Sequence, residues 1–335
     1  MKRWFGFLFL IISVSAQAQP VTNLQTVHRR GQTFLTWDNL ARTGVTYRVY
    51  CSNAPIIRAS DLTAQRRLGA VGDSTSYNRR LSSILGEPNF FRIDSLAPAL
   101  SFQKGLFVHT TTAAGRYYYA VTTMINARED TTLTIGVNTL ATALVENLGR
   151  PSPIWQRSVR QNARIFEVYT HWASPVGHAN YPAMSSAVSV PFNFGLQRKG
   201  AAALHPLLVR FHGGEGNFLR ATGTSNAEEW ILSPDDNLPN STGISAWYGY
   251  HETYDIFTGA GVPTTGVVHD YTARRIVWMI DWARRALPID TTRVYLMGGS
   301  MGGAGSVFIS MIIPEKIAAI YTTVPKFDFS FISFV

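Results

Sequence analysis

The sequence predicts a multidomain chain in two parts: an all-β antiparallel sandwich over residues 20–145, then an α/β unit on a parallel sheet over residues 161–335. Three observations predict it. Before residue 145, apolar side chains alternate with a period of two between turn residues, the pattern of half-buried strands. Gly149, Arg150, Pro151, Ser152 and Pro153 read as a stiff, exposed hinge within a linker at 146–160. Beyond residue 165 the order becomes strand, helix, strand, helix, strand, which implies a parallel sheet with covering helices. Composition agrees: 46% hydrophobic residues supply a core, while 27 glycines and 16 prolines favour strands and turns.

From the N-terminus, Lys2 and Arg3 form a positive region, residues 4–14 a short apolar stretch, and Ala16, Gln17 and Ala18 an A-x-A site with cleavage after Ala18. This is a Sec-type signal peptide over residues 1–18, and it predicts a secreted or periplasmic protein. Its apolar stretch is shorter than the ~20 residues that a membrane span needs, and no later stretch is long enough. The lone Cys51 cannot form an internal disulfide and reads as a packed small hydrophobe, so the fold is held by its core.

In the first part Thr33, Leu35 and Trp37 share one face of a strand, Tyr47 and Val49 one face of another, and Tyr117, Tyr119 and Val121 repeat the period. The order of Trp37, then Tyr47 and Val49, then the run from Gly115 to Val121, resembles a fibronectin type III module. By that resemblance the Tyr117 hydroxyl bonds back to the backbone upstream. Residues 68–105 form a longer connection than this family has. Such modules serve as spacers or binding surfaces.

In the second part, residues 165–172, 187–194 and 206–211 read as strands, with Pro191 weakening the second. Residues 271–287 read as an amphipathic helix: Ile276, Ile280, Ala283 and Leu287 share a face, Asp270 caps the start and Pro288 stops it. Strands at 294–297 and 317–323 flank a helix at 302–311. The motif Gly298, Gly299, Ser300, Met301, Gly302 is a G-x-S-x-G between strand and helix. A serine there is thrust out on a sharp turn that only small flanking residues permit. Upstream, His212, Gly213, Gly214, Glu215 and Gly216 follow directly on a strand. Acyl transfer needs two preorganised N–H donors for its oxyanion, and the backbone N–H groups of Met301 and of Gly213 or Gly214 can supply them.

Together these two motifs resemble the α/β hydrolases, specifically secreted esterase-like members, over residues 160–335. The resemblance implies Ser300 as nucleophile and cleavage of a small or polymeric carboxylic ester through an acyl-serine, with peptide hydrolysis left open because the same elbow serves peptidases of this fold. It also implies an acid and then a histidine after the serine, and here the chain departs from the family. No histidine follows Ser300; the last is His269, and Asp328 is the candidate acid. The strongly apolar end at 327–335 adds to the expectation of a chain truncated after about the sixth strand, and inactive in that form. Trp247 and Tyr248 are candidate substrate-stacking residues in a loop over the site.

No cofactor or metal motif is present, and Asp235, Asp236 and Asn237 lack the alternate spacing of a calcium loop. The formal net charge of +9 is dispersed, with 14 Lys and Arg against 8 Asp and Glu in residues 19–150 and 14 against 13 in 151–335, which argues against a nucleic-acid partner. Oligomeric state leaves no trace in the sequence. The competing reading is a noncatalytic exported binding protein for a polysaccharide or cell-surface partner.

Overall fold

A computed structural model describes residues 19–40, 42–161, 164–220, 228–239, 243–261 and 265–325. The expected signal peptide at 1–18 and the candidate acid Asp328 lie outside the described residues. The first part contains strands β1 (Thr22–Arg29), β2 (Gln32–Asp38), β3 (Thr46–Ser52), β4 (Arg67–Gly72), β5 (Lys104–Thr110), β6 (Gly115–Ile125), β7 (Arg128–Asp130) and β8 (Leu144–Glu146), with one short helix, α1 (Arg79–Leu85). They form two antiparallel sheets, β1-β2-β5 and β4-β3-β6-β7, with β8 also paired to β6. The alternating residues meet between the sheets: Leu35, Trp37, Tyr47, Val49, Phe107, Tyr119 and Val121 form one buried cluster. Gly105 is required there, because a Cβ would lie 2.2 Å from the Trp37 indole. The Tyr117 hydroxyl donates to the Ala113 carbonyl at 3.0 Å. Cys51 lies within β3, and burial pushes its thiol pKa up to about 12, so it packs as an inert thiol.

The long connection at 68–105 holds β4 and α1 and packs on the second part. Leu81 joins Val159, Phe166, Val168, Phe218 and Leu219 in a buried cluster, and Asn78, which caps α1, exchanges two side-chain hydrogen bonds with Asn193 at 3.0 and 2.9 Å. The expected exposed hinge is also packed. Pro151 and Pro153 are buried, and a Cβ on Gly149 would lie 2.4 Å from the Arg30 carbonyl carbon. Only a glycine admits that backbone approach.

The second part contains β9 (Ile154–Gln161), β10 (Arg164–Ala173), β11 (Val190–Lys199), β12 (His205–Phe211), β13 (Glu229–Pro234), β14 (Tyr250–His251), β15 (Val268–His269), α2 (Tyr271–Ala286), β16 (Ile289–Gly299), α3 (Met301–Ile312) and β17 (Ala319–Thr323). Seven strands form one sheet in the order β17-β16-β12-β13-β11-β10-β9. It is mixed: β13, β12, β16 and β17 run parallel, while β9, β10, β11 and β13 pair antiparallel. This corrects the expectation of a parallel sheet. The gap between β9 and β10 is too short for a crossover, which requires a dozen or more residues, so those strands pair antiparallel. Residues 154–160, expected as linker, are the edge strand β9. Pro191 is tolerated because β13 pairs with β11 only from Phe194 onward, so the missing N–H disrupts no ladder on that side.

Helix α2 buries Ala273, Ile276, Met279, Ile280 and Ala283 on the sheet, as its periodicity predicts. Its N-terminus differs from expectation. Asp270 makes no side-chain cap but pairs with Arg274 at 2.5 Å, one turn on. Among the described residues no helix is long and apolar enough to cross a membrane.

Candidate active site

Strand order places the site. From β12 the chain moves to β13 on one side, then through α2 to β16 on the other side of β12, so β12 and β16 are parallel neighbours whose outgoing loops diverge. Loops at the carboxyl ends of strands at such a point face one crevice. The loop after β12 begins with His212, and the turn after β16 is Ser300.

Ser300 is the sole residue between β16 and α3, with φ 54° and ψ −124°. A residue with a side chain held there costs of the order of 1–3 kcal/mol. Surrounding contacts hold the turn closed. The Ser300 N–H donates to the Thr323 carbonyl at 2.9 Å. A Cβ on Gly298 would lie 2.2 Å from the Gly302 carbonyl oxygen, and one on Gly302 would lie 2.4 Å from that of Phe211. Both glycines of the motif are therefore required by backbone approach, and the Ser300 side chain is left exposed. Met301 is the first residue of α3, so its N–H has no acceptor within the helix.

The glycine loop lies against this turn. A Cβ on Gly213 would stand 3.4 Å from the Gly299 carbonyl oxygen and 3.9 Å from Ser300 Cβ, and the side of Gly214 is open space. His212 is buried behind the loop, with Nδ1 2.8 Å from the Gly213 carbonyl oxygen and Nε2 3.1 Å from Asp235 Oδ1. Nε2 also receives the Asp236 backbone N–H at 3.1 Å, so Nδ1 donates to the Gly213 carbonyl while Nε2 stands between that donor and the Asp235 carboxylate. Burial pulls the His212 pKa down, but the hydrogen bond and charge of Asp235 outweigh it and the pKa is raised. Asp235 is itself buried, which opposes ionisation. The hydrogen bond from His212 and the paired Arg80 guanidinium hold its carboxyl well below the usual carboxylate range. Asp236 takes the N–H groups of Ser245 and Trp247, each at 2.9 Å, and so ties the following loop to the same floor.

Among the described residues the structure brings together Ser300, Met301, Gly213 and Gly214, and gives Trp247 and Tyr248 other surroundings. Trp247 is fully buried, its ring 4.8 Å from those of Phe211 and His212 and pressed on Gly305, where a Cβ would lie 2.5 Å from the indole. It is therefore part of the floor rather than a stacking surface. Its Nε1 donates to the His212 carbonyl at 3.2 Å. Tyr248 is 40% exposed beside Phe308 of α3.

All eight histidines of the sequence are described, and none hydrogen-bonds Ser300. His212 serves the glycine loop, His251 bonds Thr253, and His269 faces Glu252 at 3.6 Å and stacks on Tyr271. Among the described residues no group of three or more His, Cys, Asp or Glu is placed to hold a metal ion. Sequence reasoning missed Asp235 and Arg80. The signal for Asp235 was present, an acidic pair ending a strand next to the histidine-glycine loop. For Arg80 there was none.

No protein-family model and no curated protein matches the chain. Among solved structures it is similar to a fluorophosphonate-binding serine hydrolase from Staphylococcus aureus, at 14% identity and a TM-score of 0.33 over 49% of this chain and 59% of that one. An S-formylglutathione hydrolase from Agrobacterium tumefaciens gives 13% and 0.37 over 50% and 61%. A ferulic acid esterase from the anaerobic fungus Anaeromyces mucronatus gives 15% and 0.34 over 51% and 63%. The chain thus spans about six-tenths of the length of these structures, which are serine hydrolase and esterase structures.

Proposed function

We propose that this protein is an exported serine hydrolase acting on carboxylic esters, with Ser300 as nucleophile. One observation carries the reading: an exposed serine on a strained strand-to-helix turn, with the glycine loop of the neighbouring strand in contact with it. Ser300 Oγ attacks the ester carbonyl carbon, its proton passing through solvent to the departing alkoxide, and the carbonyl oxygen becomes an oxyanion. The free N–H of Met301 and an N–H of the Gly213–Gly214 loop stabilise that charge, the alcohol leaves, and water releases the acid from the acyl-serine. Asp328 is retained in the proposal as the acid of the site.

The described residues bring no histidine to Ser300, and serine without a base is a poor nucleophile. Ester turnover by this chain is accordingly expected at background. Covalent capture by a fluorophosphonate, monitored by intact mass and peptide mapping, tests the reading. Imidazole or raised pH supplies the missing base from solution, so slow labelling at Ser300 that accelerates with either, and vanishes in Ser300→Ala, is the expected result. Label spread over other hydroxyls, with Ser300 no faster, would reject it.

The lack of a bonded base is also what favours a second reading, a noncatalytic exported binding protein for a polysaccharide or cell-surface partner. Glycan or cell-wall retention without labelling would select it. The first part is proposed to be a fibronectin type III-like module, supported by its two-sheet strand order and the Tyr117 to Ala113 bond. Export is proposed from the leader, and a mature N-terminus at Gln19 is its test.

A further inference from the structure

The glycine loop is held from outside the second part. Arg80 belongs to α1, in the β4–β5 connection of the sandwich. Its Nε donates to Asp235 Oδ2 at 2.7 Å and its Nη2 to Asp235 Oδ1 at 3.1 Å, a bidentate pair on a carboxylate whose side chain is 2% exposed. Nη2 also reaches the Gly216 carbonyl oxygen, at 3.4 Å, in the loop itself. Asp235 holds His212 Nε2, and His212 Nδ1 holds the Gly213 carbonyl. In a trans peptide the C=O and the following N–H point in opposite directions. The Gly213 carbonyl, held by His212 and also accepting the Gly216 N–H at 3.2 Å, is fixed on that side, which turns the Gly214 N–H of the same peptide the opposite way.

We propose that Arg80 is a positioning residue for the oxyanion loop, acting across the boundary between sandwich and sheet through Asp235 and His212. On this inference the N-terminal part completes the site rather than spacing it, and an isolated second part would hold the loop in several orientations. The groups facing His212 are Asp235 and Asp236, and Arg275 bonds the Asp235 backbone carbonyl at 3.0 Å from the far side. Removing Arg80 takes the bidentate partner from Asp235, so the carboxylate is less fixed in place while its full charge is left to favour protonation of His212.

The catalytic readout rests on the serine-hydrolase reading, so the test has a second arm that does not. In the full chain, Arg80→Ala and the length-preserving Arg80→Gln are compared with Arg80→Lys by fluorophosphonate labelling and by NMR titration of the His212 ring nitrogens. The expected result is labelling of Ser300 slowed about tenfold in the neutral variants, a fraction of the roughly hundredfold or greater loss seen when an oxyanion donor is removed outright. The His212 midpoint moves to higher pH in both, and Arg80→Lys returns it toward the parent. If the parent itself is not labelled, the serine-hydrolase reading fails while the titration still decides the role of Arg80. An unchanged or lowered His212 midpoint in folded Arg80→Gln overturns the inference.

Discussion

On the β12 side of Ser300 the polar groups are held: the glycine loop by His212, His212 by Asp235, and Asp235 by Arg80 and Asn237. On the β17 side the turn is tied through backbone, by the Ser300 N–H to Thr323 and by the β16–β17 ladder that runs to Gly299 and Thr323, and β17 is largely exposed. The difference separates two kinds of catalytic part. Oxyanion donors are backbone groups, so strand order and a few glycines suffice to create them. A general base is a side chain, which a separate element must carry to the serine and a further group must orient.

The comparison is broken most severely by filling the elbow. Gly302→Val directs a side chain into the Phe211 carbonyl, whose strand cannot retreat. We expect a loss of about 3 kcal/mol or more, read as a fall in Tm, with labelling lost as well. Asp235→Asn removes the anion between Arg80 and His212, and should destabilise by about 3 kcal/mol in urea titration because a buried guanidinium and ring lose the carboxylate they share. Trp247→Phe keeps the packing on Gly305 but strands the His212 carbonyl, for a loss of about 1–2 kcal/mol in the same assay.

A pH series sharpens the contrast without mutation. His212 is raised in the folded state, so its stabilising contribution is full below its unfolded value of about 6.5 and is lost as pH rises through the folded value. The parent should therefore lose stability above about pH 6.5 through this group, and Asp235→Asn should lose less. Asp235 behaves in the opposite sense, its contribution present above about pH 4 and lost only in strong acid. Smallest in stability is Gly213→Ala. Its Cβ makes ordinary contacts, so we expect a change within about 0.5 kcal/mol, yet labelling should slow because the methyl occupies space beside Ser300. Tyr248→Ala, exposed and outside the floor, should leave stability equally unmoved, and its effect on labelling reports whether it touches the acyl group.

The strands and helices that periodicity marked are present, most within two residues of their expected ends, while β11 runs five residues further at its end and β16 starts five earlier. The mixed character of the sheet was less legible, because β9 and β13 carry no clean alternation and take their places from their neighbours. Trp247 shows how a surface reading fails. An aromatic in a loop carries no sign of burial in its sequence, and here Asp236 and Gly305 together draw it into the floor.

By itself the sequence determined the elbow and the glycine loop. Gly298, Ser300 and Gly302 between a strand and a helix have few backbone solutions, and a strand running into consecutive glycines ends in a loop close enough to serve the serine. Only the tertiary structure decided what steadies that loop. Arg80 and Asp235 are 155 residues apart, and a contact at that separation leaves no periodicity behind. The partners of His212, His251 and His269 were set likewise by packing, since a side chain's chemistry is written in the sequence but its reach depends on the element that carries it.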